Sequence, residues 1–397
     1  MLIDKLNLER KNFVLSLYTH FGNFLKNSRM SLENIKRIKD WGLGINDHMV
    51  ISGPCSAETE EQVLTTARDV AKDKRVNVLR AGIWKPRTRP GSFEGIGEVG
   101  LEWLNKAKAE TGLLTATEVA NAAHVEACLK AGIDILWVGA RTTVNPFSVQ
   151  EVADALKGVD IPVLVKNPIN PDIALWQGGL ERIAAAGITR LGAIHRGFST
   201  YEKTPFRNLP KWDMAIEMMR KFPQLDIVND PSHIAGNREL LPYVCQKALD
   251  LNMEGLMIES HITPTVAWSD AAQQVTPSGL TELLDGLTFR KENVETADAN
   301  QLEALRREID ELDDDIFQKI ASRMKVADQI GEYKRENSVT ILQVGRWEEI
   351  VNKRIALGVA MGLDDEFVKT YLKLIHKESI RRQNIVMNEG QAELAGK

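Results

Sequence analysis

Cys55, His233, Glu259 and Asp270 offer one thiolate, one imidazole and two carboxylates, the mixed donor set of a divalent-metal site. Manganese, iron, cobalt or zinc would all suit it. A second group is cationic: Arg80, Lys85, Arg87, Arg141, Lys166 and Arg196. The chain carries a formal net charge of −5, so cations gathered in one place would answer to polyanionic substrates. Arginines fork onto carboxylate or phosphate oxygens, and lysines act as compact charges. Taken singly, each residue has an ordinary structural reading: a buried cysteine, a capping histidine, a solvated acid, a surface ion pair. The chemistry depends on whether the fold brings them to one end.

The surrounding pattern says that it does. From Met49 to Ser260, short aliphatic or β-branched runs alternate with longer amphipathic stretches. The runs are Met49–Gly53, Val76–Ala81, Leu113–Glu118, Ile135–Gly139, Val163–Lys166, Arg190–His195, Asp226–Asn229 and Gly255–Glu259. Helix-like segments such as Glu58–Lys72, Val99–Thr111, Ala122–Ala131 and Arg238–Leu251 separate them. Eight strand–helix repeats predict an α/β fold, a closed (β/α)8 TIM barrel, with an open doubly wound sheet as the alternative. No glycine-rich dinucleotide fingerprint follows the first strand, which weakens the open sheet.

In such a barrel the chemistry lies just past the C-terminal ends of the strands. There the sequence reads Gly53-Pro-Cys55-Ser56, Arg80 leading to Lys85-Pro-Arg87-Thr88, Glu118, Arg141, Lys166 and His195-Arg196. The last two strands end at Asp230-Pro-Ser-His233 and Glu259-Ser-His261, with Asp270 eleven residues after Glu259. Every strand end carries something charged or metal-philic.

Lys85-Pro-Arg-Thr88, Gly53-Pro-Cys55, Val138-Gly-Ala-Arg141, Asp230-Pro-Ser-His233 and Ile258-Glu-Ser-His261 together resemble the 3-deoxy-D-arabino-heptulosonate 7-phosphate (DAHP) synthases. The likeness spans about residues 45–285 and leans toward the branch that includes short, core-type bacterial enzymes. It implies condensation of phosphoenolpyruvate with erythrose 4-phosphate. It also implies a divalent metal, manganese first, on Cys55, His233, Glu259 and Asp270. Phosphoenolpyruvate contacts would map onto Arg80, Lys85, Arg141, Lys166 and Arg196, and sugar-phosphate contacts onto Arg87 and Thr88. Lys85 stands as the catalytic candidate and Glu118 as a further substrate contact. The nearest rival is an octulosonate-phosphate or sialic-acid-type synthase, against which Lys85-Pro-Arg-Thr88 argues. A Schiff-base aldolase using Lys166 would leave Cys55 and His233 unexplained.

At 397 residues the chain is long enough for two domains. A 43% hydrophobic, 26% charged composition of mild net charge speaks against nucleic acid or a membrane surface as partner. Three widely spaced cysteines are no disulfide framework, which fits a reducing, cytoplasmic setting. The apolar run Phe13–Tyr18 is too short for a signal or membrane span. The expected layout is an unassigned extension over 1–45, the barrel over 46–285, a linker over 286–299, a helical domain over 300–390 and a tail over 391–397. Within the extension, Ser31 would cap a helix over Leu32–Lys39.

In the helical domain Leu302, Leu305, Ile309, Leu312, Ile316 and Ile320 recur at helical spacing, predicting a helix to about Glu336. A second helix is expected over Arg346–Met361 and a third from the cap Asp364 to about Asn388. Two long helices and a short one bury such stripes poorly alone, so intertwined homodimerisation is expected. Arg323 and Lys334, eleven residues apart, share one face, Ser379 and Gln383 form an (i, i+4) pair, and Arg306 points elsewhere. This spacing resembles the all-helical chorismate mutases, through Arg306, Arg323, Lys334, Arg346, Ser379 and Gln383. The resemblance implies rearrangement of chorismate to prephenate without a cofactor. Arg323, Arg346 and Arg306 of a second copy would bind carboxylates, and Lys334 and Gln383 would serve the ether oxygen. Gln343 and Trp347 depart from the pattern, standing where bacterial members usually carry carboxylates for the substrate hydroxyl. A non-catalytic dimerisation module is the opposing reading. With no recognisable sensing domain before the barrel, prephenate acting through the helical domain is the expected inhibitor.

Overall fold

The computed structural model describes residues 32–86, 91, 93–201, 203–290, 296–342 and 344–388, with the backbone alone over 296–301 and 344–350. It divides into two compact units, Met1–Glu292 and Asn293–Lys397.

The first unit is the expected barrel. Its strands are β1 Met49–Gly53, β2 Val76–Arg80, β3 Leu114–Val119, β4 Ile135–Val138, β5 Val163–Lys166, β6 Leu191–His195, β7 Ile227–Asn229 and β8 Gly255–Glu259. They pair in chain order, all parallel, and close through β1 and β8. The helices are α1 Glu60–Val70, α2 Val99–Thr111, α3 Ala122–Ala131, α4 Ala140–Thr143, α5 Pro146–Ala155, α6 Ile173–Ala185, α7 Trp212–Lys221, α8 Pro231–Ala235, α9 Leu241–Asp250 and α10 Pro277–Asp285. Alternate strand residues face two cores. Val50, Leu79, Val138 and Val165 pack under the helices, while Ile51, Val78, Trp137, Leu164 and Met257 fill the barrel interior. Each such aliphatic burial is worth roughly 1.5–3 kcal/mol before entropy is counted.

Closure sets the site. The β1–β8 register places Gly53 beside Glu259, so Cys55 emerges next to that carboxylate. The Asp230-Pro-Ser-His233 motif has a local cause: Asp230 is the N-cap of α8, accepting from the His233 amide, and Pro231 takes the first helical position.

Upstream of β1, the helix expected over Leu32–Lys39 is helical only at Leu32 and Glu33 and turns at Asn34; Ser31 lies outside the described residues. A 3-10 turn, Ile38–Asp40, follows. Here tertiary burial overrides helical spacing. Ile38, Trp41 and Ile45 are spent on the N-terminal mouth of the barrel, against Ile51, Val78 and Met257, and form its floor. The Ile38 amide donates to Asp226 Oδ2 at 2.5 Å.

The second unit comprises α11 Thr296–Glu336, α12 Val344–Ala360 and α13 Asp365–Met387, the last capped by Asp364. Helix α11 already begins inside the stretch expected to be a linker, because Ala297 and Ala299 extend a helix readily once it is nucleated. Helices α11 and α13 run side by side in one direction: Arg323 meets Ser379 and Arg335 meets Val386. Gly331 makes the approach close, since a Cβ there would sit 3.1 Å from the Gln383 Cα. Leu302, Leu305, Ile309, Leu312 and Ile316 remain exposed, by 37–57%. Among the described residues no helix is long and apolar enough to cross a membrane.

Candidate active sites

At the C-terminal end of the barrel, ligand atoms of Cys55, Glu259 and Asp270 all lie within 4.8 Å of one another. Cys55 is seated by its amide, which donates to Gln274 Oε1 at 2.9 Å. Asp270 holds a left-handed φ of 48° on the loop after β8, and its Oδ2 is 3.5 Å from Cys55 Sγ. His233 stands at the edge of this cluster, with Nε2 4.0 Å from Asp270 Oδ2. Its Nδ1 faces Asp230 at 2.9 Å, which leaves Nε2 as the ring nitrogen turned toward Asp270.

Burial pushes the Cys55 thiol up to about 11, and the Glu259 charge adds to this. Burial also opposes the charges on Asp230, Glu259 and Asp270. The cations around them, His233 when protonated and then Lys166, Arg80, Arg207 and Lys85, outweigh it and hold all three below the usual carboxylate range. His233 is itself lowered by burial, so near neutral pH its ring is neutral and fit to ligate. Glu259 Oε1 is buried and accepts no hydrogen bond, although Arg80 NH1 lies 3.3 Å away out of line. An ionised, buried carboxylate oxygen beside a thiol and an imidazole fits a divalent cation.

The cations surround this cluster. Arg80, 1% exposed, donates to the Cys55 carbonyl at 3.2 Å and lies over the Trp137 ring. Lys166 lies over the same ring and pairs with Asp230 at 2.7 Å. Glu118 accepts from Trp137 Nε1 at 3.1 Å, so its visible role is to orient that ring. Lys85 Nζ is 3.0 Å from Cys55 Sγ. Burial lowers the Arg196 guanidinium to about 10, and its NH1 donates to Asn208 at 3.0 Å. Arg141 is exposed on α4, within electrostatic reach of Arg196. Among the described residues neither Arg141 nor Arg196 has a carboxylate ion pair, which leaves both open to an anion. Arg87 and Thr88 lie outside the described residues.

In the second unit Lys334, Ser379 and Gln383 are all buried. Arg323 donates to Ser379 Oγ at 2.5 Å, and Lys334 Nζ to the Ile341 carbonyl at 2.5 Å. Burial lowers both cations. Gln383 Oε1 is buried without a partner. Arg306 is exposed and pairs with Glu303 on its own helix at 2.5 Å. The Arg346 backbone lies in α12, and its side chain is outside the described residues, as is Gln343 altogether.

Residues 31–303 match the DAHP synthetase I family. The chain belongs to that family. Residues 305–384 match a second one, Chorismate mutase type II. The chain is 33% identical over 236 residues to the phospho-2-dehydro-3-deoxyheptonate aldolase of Thermotoga maritima, covering 59% of this chain and 68% of that protein. The crystal structure of the Thermotoga maritima DAHP synthase superposes with a TM-score of 0.55 at 32% identity, over 60% of this chain and 67% of that one. A 2-dehydro-3-deoxyphosphooctonate aldolase of Vesicomyosocius okutanii is more distant, 27% identical over 274 residues, 63% of this chain and 94% of that protein. The chain thus joins a DAHP synthase domain, a transferase, to a chorismate mutase domain, an isomerase.

Four residues at these two sites escaped the sequence reading. Asp230 had been noted only as part of a motif, yet it orients both Lys166 and His233. Its place one helical turn before His233 was the available signal. Arg207 and Gln273 reach Asp270 and Glu259 from irregular loops, where no periodicity marks them. His376 of α13, lowered by burial and by Arg323 and Lys334, faces the mutase cations; its spacing of three from Ser379 was a usable clue.

Proposed function

We propose that the DAHP synthase barrel condenses phosphoenolpyruvate, erythrose 4-phosphate and water to 3-deoxy-D-arabino-heptulosonate 7-phosphate and phosphate, and that the helical unit rearranges chorismate to prephenate. The observation that carries the first half is the Cys55–Glu259–Asp270 cluster with His233 at its edge, set among Arg80, Lys85 and Lys166. A divalent ion held there, manganese being the first candidate and iron, cobalt or zinc the others, would supply Lewis-acid polarisation of the aldehyde oxygen. The protein's own part is to hold two mutually repelling anions at bonding distance. Arg80, Lys166, Arg196 and Arg141 take the phosphoenolpyruvate carboxylate and phosphate, and Arg87 with Thr88 takes the sugar phosphate. Lys85, within reach of Cys55, is placed to donate a proton as charge develops. Lys85-Pro-Arg-Thr88 favours this reading over an octulosonate-phosphate synthase.

In the helical unit Arg323 and Arg346, with Arg306 of a second copy, hold the two carboxylates of chorismate. Lys334 and the Gln383 amide donate to the ether oxygen, whose negative charge grows as the bond breaks. The exposed Leu302–Ile316 stripe supports a homodimer through this unit. Free, buried cysteines agree with a cytoplasmic setting. Metal analysis and both assays on one purified sample test the assignment; loss of either activity from well-folded protein overturns that half.

Prephenate is also the feedback inhibitor in this reading, binding near Arg323 and Lys334. A coupling of about 1–3 kcal/mol gives inhibition of several-fold or more. Condensation rate against prephenate is compared for the intact chain and a chain ending near Gly286. Equal sensitivity in both, or none in the intact chain, rules it out.

A further inference from the structure

Two of the metal-facing carboxylates are held from behind by one short hydrogen-bonded chain. Arg207 lies between β6 and α7, packed on Gly236, where a Cβ would approach the Arg207 Cβ to 2.4 Å and where φ is 72°. From that seat its NH1 is 3.0 Å from Asp270 Oδ1 and donates to Gln273 Oε1 at 2.6 Å. Gln273, 1% exposed, donates in turn from Nε2 to Glu259 Oε2 at 2.6 Å.

Each carboxylate is therefore tied from outside by one oxygen and turns the other toward the cluster. Asp270 Oδ2 is the oxygen 3.5 Å from Cys55 Sγ and 4.0 Å from His233 Nε2. Glu259 Oε1 is the buried oxygen that accepts no hydrogen bond. The Gln273 amide satisfies both neighbours in one orientation only, oxygen to Arg207 and nitrogen to Glu259. Arg207 fixes the amide, and the amide fixes the carboxylate.

We propose that Arg207 and Gln273 are positioning residues of the metal centre, holding Asp270 and Glu259 by their outer oxygens and so setting how tightly it binds a divalent ion. This rests on the metal reading above. Partners that orient ligands from outside commonly change metal affinity by about 10- to 100-fold. Removing Arg207 also removes a positive charge near the ion, which works the opposite way. That charge sits on a side chain 42% exposed and is screened by solvent. Gln273 is neutral and buried, so its replacement isolates orientation from charge.

The test uses the full chain, stripped of metal and titrated with Mn2+ against a chromophoric chelator. Gln273→Leu should weaken Mn2+ binding about 10- to 100-fold, and Arg207→Lys, which keeps charge but loses the fork, should weaken it less. The double variant should be little worse than Gln273→Leu alone, because both act through one chain. The thermal midpoint of the metal-free protein separates this from a structural role. A lowered midpoint with unchanged Mn2+ affinity overturns the proposal. Should Gln273→Leu fail to fold, Arg207→Lys decides by the same two readings. A parent chain that binds no Mn2+, or a Cys55→Ala variant that binds it equally well, overturns the metal reading itself. Normal parental binding with unaltered variants overturns only the role of Arg207 and Gln273.

Discussion

The Lys166 ammonium lies 2.7 Å from the Asp230 carboxylate, and both side chains are all but sealed from solvent. The same carboxylate caps α8 and holds His233 Nδ1, so one residue serves a buried ammonium, an imidazole and a helix end. Asp230→Asn keeps the shape and removes the charge. Leaving Lys166 buried and uncompensated is expected to cost the barrel about 3–5 kcal/mol. The measurement is the urea midpoint of the barrel transition in the full chain; an unchanged midpoint contradicts the role given to this pair.

Metal removal should divide the two activities. The cysteine–carboxylate cluster belongs to the barrel, and the rearrangement proposed for the helical unit uses no ion. A chelator, or Cys55→Ala, should abolish condensation and leave prephenate formation intact. Full condensation activity in Cys55→Ala would remove Cys55 from the ligand set.

In the proposed rearrangement Lys334 acts mainly where charge develops, so Lys334→Ala should lower mutase turnover by about a hundredfold or more. Barrel activity serves as the internal control. If turnover holds and only apparent affinity weakens, Lys334 is an anchor of the ground state.

His195 gives a pH signature in the barrel. It is wholly buried, with Nε2 2.6 Å from the Pro210 carbonyl and Nδ1 3.1 Å from Asn229. Burial lowers it from 6.5 to about 4. Between those values the unfolded chain binds the extra proton, so stability is full above about 6.5 and is lost as pH falls toward 4. The loss amounts to about 3 kcal/mol. Denaturant midpoints from pH 7 to 4.5 should fall, and His195→Gln should flatten the slope. Parallel slopes would assign the effect to other groups.

The barrel was legible because parallel strands buried on both faces read as apolar runs. The limits of β1, β5 and β8 match those runs to the residue, as do α2 and α3. The gathering of Cys55, Glu259 and Asp270 near the buried Arg80 and Lys166 was legible because side chains at strand C-terminal ends share one mouth of a barrel. The helix expected over Leu32–Lys39 ends after Glu33 because Ile38, Trp41 and Ile45 answer to a barrel mouth that local sequence does not describe. Gln273 and Arg207 were invisible for a related reason. Their meaning lies in the carboxylates they reach, and loop residues carry no period.

The floor of the barrel is made upstream of β1 yet is fastened far down the chain. The Ile38 amide bonds Asp226, 188 residues later, and Arg190 donates to the Trp41 carbonyl from 149 residues away. A growing polypeptide thus synthesises its base first and can seat it only after β6 and β7 have left the ribosome. Such distant pairings slow folding. Burial of the Trp41 indole therefore marks completion of the barrel, and on refolding it trails the return of secondary structure.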